Sequence, residues 1–471
     1  MGRHAGTRMR LSGAGRRSVT ALLGAGVVGL VALALLLSMC GGDDGTRHAG
    51  DTATGVHAPS GPSATATGNP TAELGFGLTH TEFSADHGET YAKQAADKLL
   101  AQRSLPQDQA IMGWGADNPE PSPGKYDFAE LDDRVDLIRA TGGTPVITLC
   151  CAPDWMKGGQ AGATDWSRLE VAPSPDHFDD FAALAATVAK RYPDVRHFVV
   201  WNEFKGFWNN GLKRWDYEGY TKLYNLVYKA IKKVNPDDLV GGPYVVMDSF
   251  APGDSGNGDA SASVKGSWGA ADQRTLDAVD YWLGHKAGAD FVVLDGSSMN
   301  HDDTLEPDEF AATDKFAALG RWIAGRTDLP LWWAEWYVEP DDSGWTEQHR
   351  TAVQAAAMMQ LALGGAAAAF YWNPQAQGAA CPGCLWTSTE LSAAGGEQLP
   401  MLDLLRRFAA AFAPGTRFSE VAVAADDKAN VRVLADDQAV LVVNVLDRTI
   451  HAEVDGQSFE LAGYGIRWLR R

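Results

Sequence analysis

From about Thr71 onward, short apolar runs bounded by Gly, Pro or Asp alternate with longer stretches whose apolar positions recur at helical spacing. The short runs read as strands at residues 74–79, 110–114, 144–149, 197–202, 239–243, 291–295, 331–334 and 367–372. Between and after them the periodicity predicts helices at 89–102, 128–140, 175–192, 217–234, 272–286, 308–325, 347–363 and 399–412. Buried strands in strict alternation with amphipathic helices imply an α/β fold with a parallel sheet, whose faces the crossover helices cover. Eight repeats closing over roughly 340 residues suit a (β/α)8 TIM barrel better than an open doubly wound sheet. No phosphate loop and no Gly-x-Gly-x-x-Gly follows the first strand, which counts against the nucleotide-binding form of the open sheet.

The texture changes at both ends. After about Pro414 the helical spacing stops, and residues 421–424, 431–434, 439–444, 451–454 and 465–469 read as short strands with polar turns. A barrel domain of residues 71–413 followed by a small C-terminal β-sheet domain, sandwich-like, at 414–471 is therefore expected. Residues 41–70 are Gly, Ala, Thr, Ser, Pro and Asp with almost no large apolar side chain, the composition of a flexible linker. In residues 1–40, Arg3, Arg8, Arg10, Arg16 and Arg17 precede an apolar run at 19–39, which predicts export by a signal peptide or membrane anchor. The run exceeds the usual apolar core of a cleaved signal. Its end, Leu37-Ser38-Met39-Cys40, resembles a bacterial lipoprotein signal with Cys40 as the lipidation candidate, although Met39 stands where that pattern has a small residue. Lipoprotein, helix-anchored protein and released protein all stay open, with an extracytoplasmic location common to the three.

Charge narrows the partners. The 60 acidic residues outnumber the 40 basic ones, and the arginine-rich start makes the remainder more acidic still. Such a field repels phosphate backbones and anionic lipid, so neither nucleic acid nor a membrane surface is an expected partner, apart from anchoring through the N-terminus. The 16 tryptophans suit the apolar faces of sugar rings, and equally the packing of a large core.

Catalytic side chains of a parallel barrel stand at the carboxyl ends of its strands. Glu203, closing His197-Phe-Val-Val-Trp-Asn-Glu203, and Glu335, in Leu331-Trp-Trp-Ala-Glu335-Trp336, meet that condition after predicted strands four and seven. Each follows an apolar run, whereas Glu218, Glu309 and Glu347 sit in the polar stretches typical of a solvated helix face.

Trp201-Asn202-Glu203, with a second glutamate among tryptophans, resembles the clan of retaining glycosidases that places its two glutamates on strands four and seven. Asn118-Pro-Glu-Pro-Ser-Pro-Gly-Lys-Tyr126-Asp-Phe128, the run 144–149 and Ala152-Pro-Asp-Trp155-Met156 are similar to glycoside hydrolase family 39, the β-xylosidase and α-iduronidase family. Leu461-Ala-Gly-Tyr-Gly-Ile466 resembles the closing strands of that family's accessory β-domain. The resemblance implies a carbohydrate substrate and double displacement, with Glu335 as ionised nucleophile and Glu203 as the protonated acid that later serves as base. It implies that Asn202 bonds the sugar 2-hydroxyl. His301, after strand six, falls where the family has a substrate or nucleophile partner, often beside a tyrosine; a surface-loop histidine is the competing reading. Trp372 is the candidate platform under the sugar, Trp155 a candidate cleft wall, and His80 a candidate after strand one. A barrel that binds carbohydrate without turnover and a transglycosylase remain as alternatives.

Cys150 and Cys151 adjoin at the mouth of strand three, and Cys381-Pro-Gly-Cys384 follows strand eight on the same face. Four such cysteines could ligate zinc, but adjacent residues are awkward tetrahedral ligands and this chemistry needs no metal, so neither metal nor cofactor is expected. Disulfides suit an exported protein. Cys381 with Cys384 is the first expectation, and a vicinal Cys150–Cys151 bond at the sugar site the second.

Overall fold

The computed structural model describes residues 70–81, 83–109, 119–254, 258–340, 343–372, 374–375, 383–424 and 427–471. Eight parallel strands close into a barrel: β1 Gly75–His80, β2 Pro106–Gln109, β3 Thr144–Leu149, β4 His197–Val200, β5 Leu239–Val246, β6 Phe291–Ser297, β7 Leu331–Tyr337 and β8 Ala366–Trp372. Each pairs with its neighbours in the chain, and β8 returns to β1 with Gly75 opposite Ala368 and Thr79 opposite Trp372. The surrounding helices are α1 Thr90–Leu100, α2 Ala129–Ala140, α3 Phe178–Arg191, α4 Tyr217–Val234, α5 Gln273–His285, α6 Glu309–Ala312, α7 Asp314–Ala324, α8 Glu347–Leu363 and α9 Pro400–Ala411. The single helix predicted at 308–325 is broken at Thr313, whose hydroxyl donates to the Phe310 carbonyl at 2.6 Å.

Alternation along the strands divides the apolar residues. Val146, Val199, Phe291, Val293, Trp332, Ala334 and Phe370 fill the barrel, with the Phe291 and Trp332 rings stacked at 3.7 Å. Their neighbours, such as Phe198, Val200, Val292 and Leu294, join the larger core shared with the helices. Residues 71–74 close the amino-terminal end of the barrel: His197 Nε2 bonds the Thr71 carbonyl at 2.8 Å and Trp332 Nε1 donates to the Ala72 carbonyl at 2.6 Å.

The second strand corrects the sequence reading. The predicted run 110–114 lies outside the described residues, and the strand that pairs with β1 and β3 is Pro106–Gln109. Its polar side chains are all buried because they find partners inside: Gln107 Oε1 bonds the His80 ring at 2.8 Å and its Nε2 donates to the Thr141 hydroxyl at 3.1 Å, and Asp108 accepts from Thr148 at 3.0 Å. A search for apolar runs passes over such a strand. The Gly- and Ser-rich stretch after β5 likewise contains order, a small antiparallel sheet of Ser249–Phe250, Ala260–Gly266 and Gly269–Asp272.

Past α9, strands β9 Val431–Ala435, β10 Ala439–Asn444 and β13 Ile466–Arg470 form one antiparallel sheet, and β11 Ile450–Val454 with β12 Gln457–Leu461 form a hairpin. They share a core that includes Val440, Val442, Val454 and Leu469. The predicted strand 421–424 contributes only the bridge from Val423 to Val454. Unpredicted β12 is mostly exposed, but its turn is explicit in sequence: Asp455-Gly456, with φ of 52° and 72°, is the two-residue hairpin link that favours positive φ at both positions. This module leans on the barrel through Tyr464, stacked on His349 of α8 at 3.9 Å, and through Arg432, paired with Asp314 of α7 at 3.1 Å. Among the described residues no helix is long and apolar enough to cross a membrane.

Candidate active site

Glu203 sits in the turn that follows β4, and that turn has a costly backbone. Trp201, Glu203 and Phe204 have φ of 71°, 49° and 54°, in the left-handed region, where each non-glycine residue costs of order 1–3 kcal/mol. Packing holds them there. The Trp201 amide donates to the Leu149 carbonyl at 3.1 Å and its indole to the Lys205 carbonyl at 2.9 Å. Phe204 stacks on Tyr220 of α4 at 4.1 Å, and the Tyr220 hydroxyl donates to the Val200 carbonyl at 2.9 Å. The Glu203 carboxylate is thus aimed by rings that are themselves fully buried.

Glu335 lies within β7, directly opposite Asp295 of β6 in the strand register. Glu203, Asp295 and Glu335 are 8%, 3% and 4% exposed, and one oxygen from each lies within 4.8 Å of the other two. At an effective dielectric near 20, two charges at that distance repel by about 3 kcal/mol, so the three do not ionise independently. Lys205 brings an ammonium to 3.3 Å from Glu203 Oε1, with Glu170 behind it at 3.7 Å. The trio has a spacing that would admit a cation, a place that Lys205 already takes at Glu203. Tyr244 of β5, itself at φ 53°, donates its hydroxyl to Glu335 Oε1. Asn202 Nδ2 donates to Glu203 Oε1 at 3.3 Å, and its Oδ1 is buried with no partner.

Burial first, then the neighbouring Asp295 and Glu203, push the Glu335 carboxyl well above the usual range, while Lys205 and the Tyr244 hydrogen bond pull it back. Asp295 is pushed well above its range by burial and then by Glu203. Burial works against the charge on Lys205, yet Glu203, Glu335 and Glu170 outweigh it and raise its pKa. Burial keeps the Tyr244 phenol protonated, a fixed donor to Glu335.

The other sequence candidates scatter. Trp372 ends β8, half-buried. Trp155 occupies the turn Asp154–Lys157, its indole donating to the Glu120 carbonyl at 2.9 Å. His301 lies beyond β6, its side chain 42% exposed and bonded through Nδ1 to Asp248 at 2.8 Å, which raises its pKa. His80 is fully buried, both ring nitrogens are committed to Ser84 and Gln107 at 2.7 and 2.8 Å, and burial drops its pKa to about 3. A neutral ring locked in this way orders the β1 end. Cys150 and Cys151, buried directly after β3, are joined by a disulfide. Cys384 is disulfide-bonded; Cys381 and Cys40 lie outside the described residues.

Three members of the cluster escaped the sequence reading. Asp295 ends the predicted sixth strand, so the rule that selected the glutamates points to it too. Tyr244 falls one residue past the predicted end of strand five, and reaches Glu335 from β5. Lys205 is two residues from Glu203 and has no pattern of its own.

A closed (β/α)8 barrel with buried glutamates at the ends of its fourth and seventh strands has the layout of a glycosidase barrel. The model of the family Glycosyl hydrolases family 39 matches residues 117–364, more than half of the chain, and the chain belongs to that family. It is 30% identical over 137 residues to a β-xylosidase of Caldicellulosiruptor saccharolyticus, covering 27% of each chain. With a β-xylosidase of Geobacillus stearothermophilus it shares 31% over 129 residues, 26% of this chain and 25% of that one. These matches span about a quarter of the relatives' length. The fold is shared with a monomeric β-xylosidase from Caulobacter crescentus CB15, at TM-score 0.52 and 19% identity over 80% of this chain and 74% of that one. A family 39 glycoside hydrolase from Bacteroides cellulosilyticus WH2 has TM-score 0.52 and 16% identity over 84% and 79%.

Proposed function

We propose that the chain is a retaining glycoside hydrolase that cleaves an O-glycosidic bond by double displacement, with Glu335 as nucleophile and Glu203 as acid/base. The observation that carries this reading is the separation of the two carboxylates, whose facing oxygens lie within 4.8 Å. Groups so close leave no room for an attacking water between sugar and nucleophile, as inversion would need, and suit a pair in which one attacks the anomeric carbon directly.

In the first step the Glu335 carboxylate bonds to the anomeric carbon while the bond to the departing oxygen breaks and that oxygen takes the Glu203 proton. In the second, Glu203 removes a proton from water, whose oxygen displaces Glu335 and regenerates its carboxylate. One water is consumed and the configuration is kept. The Tyr244 hydroxyl fixes the nucleophile, and the partnerless Asn202 Oδ1 accepts from the sugar 2-hydroxyl. Another sugar in place of water in the second step would make the chain a transglycosylase.

β-Xylosides are the first substrate class to try, because the partial relatives named above are β-xylosidases. The reaction belongs outside the cytoplasmic membrane, a location supported by the basic start and the apolar run at 19–39. The test is hydrolysis of 4-nitrophenyl β-D-xyloside and a panel of other aryl glycosides, with the first anomer formed read by proton NMR. Retained configuration in the first product is expected. An inverted product would exclude the mechanism, and binding without turnover across the panel would make the chain a carbohydrate-binding barrel.

A further inference from the structure

The retaining mechanism uses two carboxylates, and this barrel buries three. Asp295 is opposite Glu335 in register, has an oxygen within 4.8 Å of both glutamates, and keeps Oδ1 buried with no partner in the fold. The charges that face it come from every adjoining element: Glu203 and Lys205 from the turn after β4, with solvent-reached Glu170 behind them; Tyr244 from β5; Glu335 from β7; Lys315 from α7. Lys315, whose pKa burial lowers to about 8, is still cationic at pH 7, but Asp248 also acts on it and its Nζ is spent on the Met299 carbonyl at 2.9 Å. The close set is therefore three carboxylates against one ammonium. When Glu335 is ionised and Glu203 carries the proton that the first step requires, Lys205 is drawn to Glu335, and a charge on Asp295 is left with no hydrogen-bonded partner at Oδ1 and only Lys315, which Asp248 shares, as a further counter-charge. A buried charge without a partner is among the most unfavourable arrangements a protein can hold.

We propose that Asp295 works as a carboxylic acid, protonated through the operating pH range, whose hydroxyl donates to Glu335 and keeps it the one ionised carboxylate of a buried cluster with no net charge. Burial, with an ionised Glu335 opposite in register, favours that neutral form. The role rests on the glycosidase reading; the protonation does not. Asp295 acts through the nucleophile and is a positioning residue. With Tyr244 it gives Glu335 two donors.

The experiment uses the full chain, its Asp295→Asn and Asp295→Ala variants, and 4-nitrophenyl β-D-xyloside as probe. Asp295→Ala removes the donor that orients the nucleophile and is expected to lose about a hundredfold in kcat, the scale for a misplaced attacking group. Asp295→Asn keeps an uncharged donor and should recover at least about tenfold of that loss, with the acid limb of its kcat/KM profile within about 0.3 pH unit of the parent. If Asp295 were ionised in the parent, removing its charge would move both limbs down by about one unit or more, which overturns the proposal. A second measurement needs no turnover. The infrared difference between parent and Asp295→Asn at pH 7 should contain the carbonyl band of a protonated carboxylic acid, and its absence refutes the proposal. A chain that shows the band and hydrolyses nothing supports the proton on Asp295 and refutes the glycosidase reading.

Discussion

Replacing Glu335 or Glu203 by alanine should have opposite stereochemical consequences if, as proposed, the two carboxylates address opposite faces of the anomeric carbon. Glu335→Ala leaves nothing to form the ester, and added azide should restore turnover to a glycosyl azide of inverted configuration. Glu203→Ala should spare substrates whose leaving group needs no proton, with azide giving a product of retained configuration. Rescue with the two outcomes exchanged would reverse the assignment. Asp108 makes a different prediction at the same scale. Burial raises its carboxyl to about 8, against a value near 4 in an unfolded chain. Between those values the folded barrel holds a proton that the unfolded chain releases, so this group costs stability increasingly as pH rises from about 4 toward 8. Asp108→Asn removes the titration and keeps an acceptor for Thr148. The melting temperature of the variant relative to the parent should climb over that window; a difference independent of pH would show that Asp108 does not titrate as its burial implies.

Among the elements, the turn after β4 has the largest leverage on the site. Phe204 is fully buried and stacked on Tyr220, and its own φ is positive, so its ring is what keeps a left-handed turn in place. Phe204→Ala should cost about 3–5 kcal/mol in chemical denaturation, the range for a large buried ring. It should lower kcat more than Phe408→Ala does, a fully buried ring of α9 packed on Phe76 and Phe412, because it frees the backbone of Glu203; equal kcat in the two variants would separate the turn from the site. Legibility follows the same division. Strands filled with apolar residues, such as β3, β6 and β7, were readable because burial there is hydrophobic. Strand β2 was not, because its burial is polar and depends on Gln107 and Asp108 meeting partners on β1, β3 and α2, which no local pattern encodes. Glu203 and Glu335 stood out as carboxylates after apolar runs, while Lys205 and Tyr244 matter through contacts across the barrel, and these exist only once the strands are paired.

For the whole molecule, the first described residues do structural work out of proportion to their number. Thr71 and Ala72 offer their carbonyls to His197 and Trp332 at the foot of the barrel, and Leu74 packs with the interior cluster. A chain that starts at residue 70 should match the full chain in thermal unfolding, whereas one that starts at Gly75 exposes Trp332 and should melt several degrees lower. Similar melting of the two would show that the plug contributes nothing. The same feature sets a direction. Gly75, at φ 78°, lies so near Pro414 that an added Cβ would stand 3.2 Å from its ring, so the barrel's entry and exit meet at one point. That point is at the closed foot, and Glu203 and Glu335 are at the opposite mouth. The chain therefore enters the barrel on the face opposite the candidate site, which leaves the mouth clear of the point where the N-terminal segment joins.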